Sequence, residues 1–112
     1  MTPKRHHLTF FQFQQNSNPK KNITSSLFNI SVKKTNARFS RLVILVPVRL
    51  DKRSSSRHQT KRIVTQVLVS LLPEFKNQND ILLKPKKILS KKEIRGITGD
   101  LRFAFRKFIS GP

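Results

Sequence analysis

The segment Ser54-Ser55-Ser56-Arg57-His58-Gln59-Thr60-Lys61-Arg62-Ile63-Val64-Thr65-Gln66-Val67-Leu68-Val69-Ser70-Leu71 carries two patterns at once. At 100° per residue, Thr60, Ile63, Val64, Val67, Leu68 and Leu71 fall on one stripe, while Gln66 and Ser70, and with them Thr65, fall opposite. The β-branched residues would also suit a strand, but the polar positions fit a period of 3.6 better than 2. Three serines supply N-cap candidates, and Ser56 with Gln59 matches the capping-box spacing. Leu72-Pro73-Glu74 closes the predicted helix. Arg57, His58, Lys61 and Arg62 occupy an adjoining arc of roughly 140°. Cations in a first helical turn oppose the macrodipole, so a phosphate laid across them would restore the lost stability. Arg49, Lys52 and Arg53, just upstream, add charge to the same end.

The flanks of this helix read as strands. Residues 39–46 contain the longest apolar run, Leu42-Val43-Ile44-Leu45-Val46, and Pro47 ends it. Downstream, residues 77–80 read as a turn and Ile81-Leu82-Leu83 as a short strand ending before Pro85. Residues 23–32 alternate Phe28, Ile30 and Val32 against Leu27, Asn29 and Ser31, the signature of a half-buried strand. Residues 8–15, with Phe10, Phe11 and Phe13, suit one or two helical turns, and residues 16–22 read as a loop. Ser90 and Glu93 form a second capping box, followed by Ile94, Ile97, Leu101, Ala104 and Phe108 at helical steps. The expected order is short helix, strand, strand, long helix, strand, helix, an α+β sandwich. Residues 1–6 read as a flexible basic N-terminus, and residues 7–110 as a single RNA-binding domain.

Composition narrows the function. Of 112 residues, 24 are Lys or Arg and 5 are Asp or Glu, a formal charge of +19. Self-repulsion on that scale is relieved by a polyanion, which points to nucleic acid. Nine Phe and 36% hydrophobic residues argue against a purely disordered tail. Without Cys there are no disulfides and no thiol nucleophile. Five carboxylates leave little from which to build a two-metal nuclease site or an acid/base pair. His6, His7 and His58 lack the companions of a metal site, so no metal and no tightly bound cofactor is expected. No run approaches the roughly 18 to 20 apolar residues of a membrane span. The basic start is not followed by an apolar signal core, which points to the cytoplasm.

The aromatic residues divide between two roles. With no Trp or Tyr, core filling is expected of Phe39, Phe103, Phe105 and Phe108, whereas Phe10 and Phe13 are equally suited to stacking on RNA bases. Gly96-Ile97-Thr98-Gly99 matches the GXXG loop of single-strand-binding KH domains, but the apolar spacing runs through it as one helix.

The stretch Val46-Pro47-Val48-Arg49-Leu50-Asp51-Lys52-Arg53-Ser54-Ser55-Ser56-Arg57-His58-Gln59-Thr60-Lys61-Arg62 resembles the signature of the protein subunit of bacterial ribonuclease P, in which a strand leads to Arg-x-x-x-Lys-Arg at a helix start. Leu71-Leu72-Pro73-Glu74-Phe75-Lys76 with Asp80-Ile81-Leu82-Leu83 is similar to that family's passage into its last strand, and Ser90-Lys91-Lys92-Glu93 to the opening of its last helix. Arg57, Lys61 and Arg62 match position by position, whereas His58-Gln59 stands where the family has Asn-Arg. The resemblance spans roughly residues 7–108. It implies an α/β sandwich with a small, mostly antiparallel four-stranded sheet, three helices and a left-handed βαβ crossover through the basic helix. It implies that the protein, a monomer within a ribonucleoprotein, binds ribonuclease P RNA and the 5′ leader of precursor tRNA. The RNA subunit would carry the catalytic centre and use the Mg2+. Arg49, Lys52, Arg53, Arg57, His58, Lys61 and Arg62 would contact RNA, and Phe10, Phe13 and Phe28 would border the cleft that holds the leader. A small ribosomal or RNA-chaperone protein, binding structured RNA without catalysis, is the alternative from composition, and a KH-like single-strand binder the third class.

Overall fold

A computed structural model describes residues 4–109. Four strands form one mixed sheet: β1 (Lys20–Thr24), β2 (Phe28–Lys34), β3 (Arg41–Ile44) and β4 (Asn79–Pro85). Their order is β1-β2-β4-β3, with β3 parallel to β4 and the other pairs antiparallel. The helices are α1 (Phe10–Gln15), α2 (Ser54–Leu71) and α3 (Ile94–Ala104). Parallel neighbours need a crossover, and α2 supplies it between β3 and β4.

β4 is an interior strand, between β2 and β3, and its sequence shows why. Ile81 and Leu83 join Phe28, Ile30 and Val32 of β2 and Leu42 and Ile44 of β3 in the main core beneath α2 and α3. Leu82, pointing the other way, meets Leu8 and Phe13 in a smaller cluster under α1. Ile63, Val64, Val67, Leu68 and Leu71 of α2 are buried as their spacing predicts, and so are Ile97, Leu101 and Ala104 of α3. Thr60 fixes α2 to the segment after β4, its hydroxyl accepting from the Leu89 amide at 3.0 Å and donating to the Leu89 carbonyl. The Asp100 carboxylate ties α3 to the β1–β2 turn by accepting from the Ser25 hydroxyl at 2.6 Å and the Leu27 amide.

Several local expectations differ from the structure. The strand expected over 23–32 is a hairpin, broken at Ser25, Ser26 and Leu27, and β1 reaches back into the expected loop. Lys20, Lys21 and Asn22 form an exposed edge strand, which has no apolar face to advertise it. Asn79 and Asp80, expected in a turn, are buried in β4, because Arg41 and the Ser40 hydroxyl satisfy them. Helix α2 begins at Ser54, so Ser56 and Gln59 lie inside it and make no box, whereas the box at Ser90 and Glu93 forms. Thr65 is buried rather than outward. Phe39 and Phe103, expected in the core, are 41% and 65% exposed, while Phe105 is buried and Phe108 packs on the core beyond the end of α3. Gly96 and Gly99 lie within continuous helix, so the GXXG match forms no loop. Of the N-terminal segment, residues 1–3 lie outside the described residues. Lys4–His6 form a 3-10 turn, with a His6 ring nitrogen 2.7 Å from the Ser40 carbonyl oxygen.

Candidate nucleic-acid interface

Between β3 and α2 the chain turns through Pro47, a 3-10 turn (Val48–Leu50) and Asp51, which aims the start of α2 at the end of the sheet. Asp51 organises this junction. Its carboxylate accepts from the Arg53 amide at 2.9 Å and from the Arg53 guanidinium at 2.8 and 3.1 Å. The Arg53 side chain, with its amide second, holds the Asp51 carboxyl well below the usual carboxylate range, and Asp51 in turn raises Arg53. The Arg57 guanidinium reaches back to the Asp51 and Lys52 carbonyls, at 2.8 and 2.9 Å. Arg57 is therefore half-buried and structurally committed, rather than simply presented to solvent. The first turn of α2 contains no carboxylate, and no side chain caps its free amides.

A depressed carboxyl stabilises its junction above the ordinary pKa, and that contribution is lost only as pH falls through the lower folded value. The Asp51 carboxyl should thus remain ionised at a pH near 4, where an unperturbed Asp is half protonated. Carboxyl 13C shifts followed against pH test this, and a midpoint near 4 would contradict it.

A groove of about 580 Å3 runs beside the junction, walled by the end of β3 and lined by Arg49, Arg57, His58, Lys61 and Lys84. Lys84 was not anticipated from the sequence. It is the exposed residue near the end of β4, on the same side of the sheet as Leu82. It also lines a second, smaller hollow of about 220 Å3 with Asn22, Thr24, Asn29 and Ser31, on the sheet face away from α2. Lys84 thus joins the basic groove to a polar sheet face. The alternation Ile81-Leu82-Leu83-Lys84 carried this signal, had the strand been extended by one residue.

The other expected site residues separate clearly. Lys52, His58, Lys61 and Arg62 are exposed, as is Arg49. Arg53 is exposed but paired with Asp51. Phe28 is fully buried in the main core and cannot border a cleft, because its strand position faces α2 and α3. Phe13 is 3% exposed, in the small cluster under α1. The Lys33 ammonium lies 4.5 Å from its ring centroid while donating to the Phe13 and Asn16 carbonyls. That ring is closed to a stacking base. Phe10 is 39% exposed and Phe11 65%, so the accessible aromatic edge of α1 is theirs. Among the described residues, no three His, Asp or Glu side chains converge as metal ligands, and no helix is long and apolar enough to cross a membrane.

The family model described as Ribonuclease P matches residues 3–109. The chain belongs to the ribonuclease P protein family. Its fold agrees with solved members. The RNase P protein from Thermotoga maritima superposes with a TM-score of 0.72 at 23% identity, over 94% of this chain and 98% of that one. The RNase P protein of Staphylococcus aureus gives 0.72 at 14% identity, over 91% and 94%. A mutant of the latter described as defective in mRNA degradation gives 0.75 at 15%, over 93% and 88%. A search of curated protein sequences finds no match. At these identities the structural likeness establishes the fold, and the family match establishes a role in ribonuclease P.

Proposed function

We propose that this ribonuclease P protein binds the catalytic RNA through the groove at the start of α2 and guides the 5′ leader of precursor tRNA across the adjoining sheet face. The observation that carries this reading is the continuity at Lys84 of a basic groove and an open polar surface. Lys61 and Arg62 are exposed two turns into α2 and, among the described residues, are in no ion pair, and the first turn before them holds no carboxylate, an arrangement suited to phosphate. Asn29, Ser31 and Asn22 offer hydrogen bonds to a single strand, with Phe10 and Phe11 as the aromatic groups within reach of solvent on α1. The chain acts as a monomer inside a cytoplasmic ribonucleoprotein. Mg2+ serves the RNA subunit, where the chemistry resides, and the protein's positive charge takes over part of the screening of packed phosphates.

Two measurements test this. Replacing Lys61 or Arg62 by Ala should weaken RNA binding across sequences and lower the slope of log K against log salt by about one per lost phosphate contact. An unchanged slope for both would place the RNA on another face. Dissociation constants of the assembled ribonucleoprotein for precursor and mature tRNA should show a preference for precursor that the RNA subunit alone lacks. Lys84→Ala should erode that preference. Equal tightening of both tRNAs would favour general RNA binding without leader recognition.

A further inference from the structure

At the opposite end of α2, about 27 Å away at 1.5 Å per residue, lies a second concentration of charge. A hollow of about 640 Å3 there is lined by Lys21, Lys34, Lys76 and Lys107, with Asn77 and the ring of Phe108. It opens on the face of the sheet that carries Val32, which is the side of α2 and α3 and not the side of Asn29 and Ser31. No carboxylate is among its lining residues, and among the described residues none of its four lysines is in an ion pair. Asp80, close by in sequence, is fully buried against Arg41 and Asn16, and so neutralises none of them.

The position of these lysines is fixed by backbone pairing. The Lys76 amide donates to the Phe108 carbonyl at 2.8 Å, setting Lys76 beside the aromatic ring, and the Lys21 ammonium lies 5.9 Å from that ring's centroid. Lys34 is held at the end of β2 by register with Asn79. Asn77 is shared with a neighbouring hollow of about 320 Å3, whose wall includes Phe39. Phe39 is 41% exposed, with the guanidiniums of Arg5 and Arg38 at 5.7 and 5.8 Å. Unneutralised cations beside the part-buried ring of Phe108 and the exposed ring of Phe39 match the two parts of a nucleotide, its phosphate and its base.

We propose that this end of the molecule is a second RNA-binding site, taking single-stranded RNA with phosphates on Lys34, Lys76 and Lys107 and a base against Phe108. The inference rests on the reading that the chain works on RNA, but it needs neither the α2 groove nor leader recognition. A protein with sites at both ends of α2 can hold two RNA segments at a fixed separation.

The test is an NMR titration of the full chain with a uridine hexanucleotide. Amide shifts of Lys76, Asn77 and Phe108 should saturate, as should those of Lys61 and Lys84. In the Lys34→Gln, Lys76→Gln, Lys107→Gln variant, the affinity read at Asn77 and Phe108 should fall at least tenfold, while that read at Lys61 and Lys84 changes less than twofold. Saturable shifts confined to Lys61 and Lys84 would overturn the second site and leave the proposed function standing. An absence of shifts at both ends would overturn both.

Discussion

Removing the two exposed lysines of the α2 groove and the neighbouring Arg62, as Lys61→Ala, Arg62→Ala and Lys84→Ala together, should weaken binding to ribonuclease P RNA by about 100-fold or more at low salt, since a hydrogen bond to a charged group contributes about 1.5–3 kcal/mol. These three side chains are exposed, so their loss leaves no buried partner unsatisfied and the fold should be unaffected. Arg57 is left out deliberately. Its guanidinium holds the Asp51 and Lys52 carbonyls, so Arg57→Ala would loosen the start of α2 and confuse contact with structure. Filter binding against salt, with circular dichroism as the control, gives the answer. A loss below threefold in a folded variant would move the interface elsewhere.

The second large effect concerns the fold. Asp80 is fully buried in β4 and accepts from the Arg41 guanidinium through both oxygens at 2.9 Å, and from Asn16 at 2.9 Å. One carboxylate thereby joins β3, its parallel neighbour β4 and the loop after α1. Asp80→Ala strands the Arg41 charge and should cost about 3–5 kcal/mol, toward the lower figure because the Arg41 side chain is 26% exposed and water can partly solvate it. That is a large share of the roughly 5–15 kcal/mol typical of a small domain. Urea unfolding measures it. A loss under about 1 kcal/mol would show that the buried pair contributes little net stability.

Periodicity revealed those elements whose own residues form a face. The stripe of α2 and that of α3 were legible because each helix buries one side on the sheet, and the Ser90–Glu93 box because capping is local. β1 was not legible: at an exposed edge, Lys20, Lys21 and Asn22 need no apolar partner. Asp80 was misplaced for a related reason, since its burial depends on Arg41, 39 positions away, and a lone Asp beside Asn reads as a turn. The basic half of the candidate site followed from α2's own angular pattern. Lys84 did not, because it belongs to the groove only once β4 pairs parallel to β3 and lies beside the start of α2. The expected core roles held for Phe105 and Phe108, but other aromatic assignments failed in both directions, Phe28 inward and Phe39 outward, because composition says that rings must fill a core without saying which.

The most direct test of the account is cleavage of precursor tRNA by ribonuclease P RNA at magnesium too low for the RNA alone. Added to that RNA, the wild-type chain should restore correct 5′ cleavage, and the Lys61→Ala, Arg62→Ala, Lys84→Ala variant at the same concentration should not, while neither protein cleaves anything by itself. Rescue by the variant equal to that by wild type would contradict the assignment of the groove, and no rescue by the wild-type chain would contradict the proposed function itself.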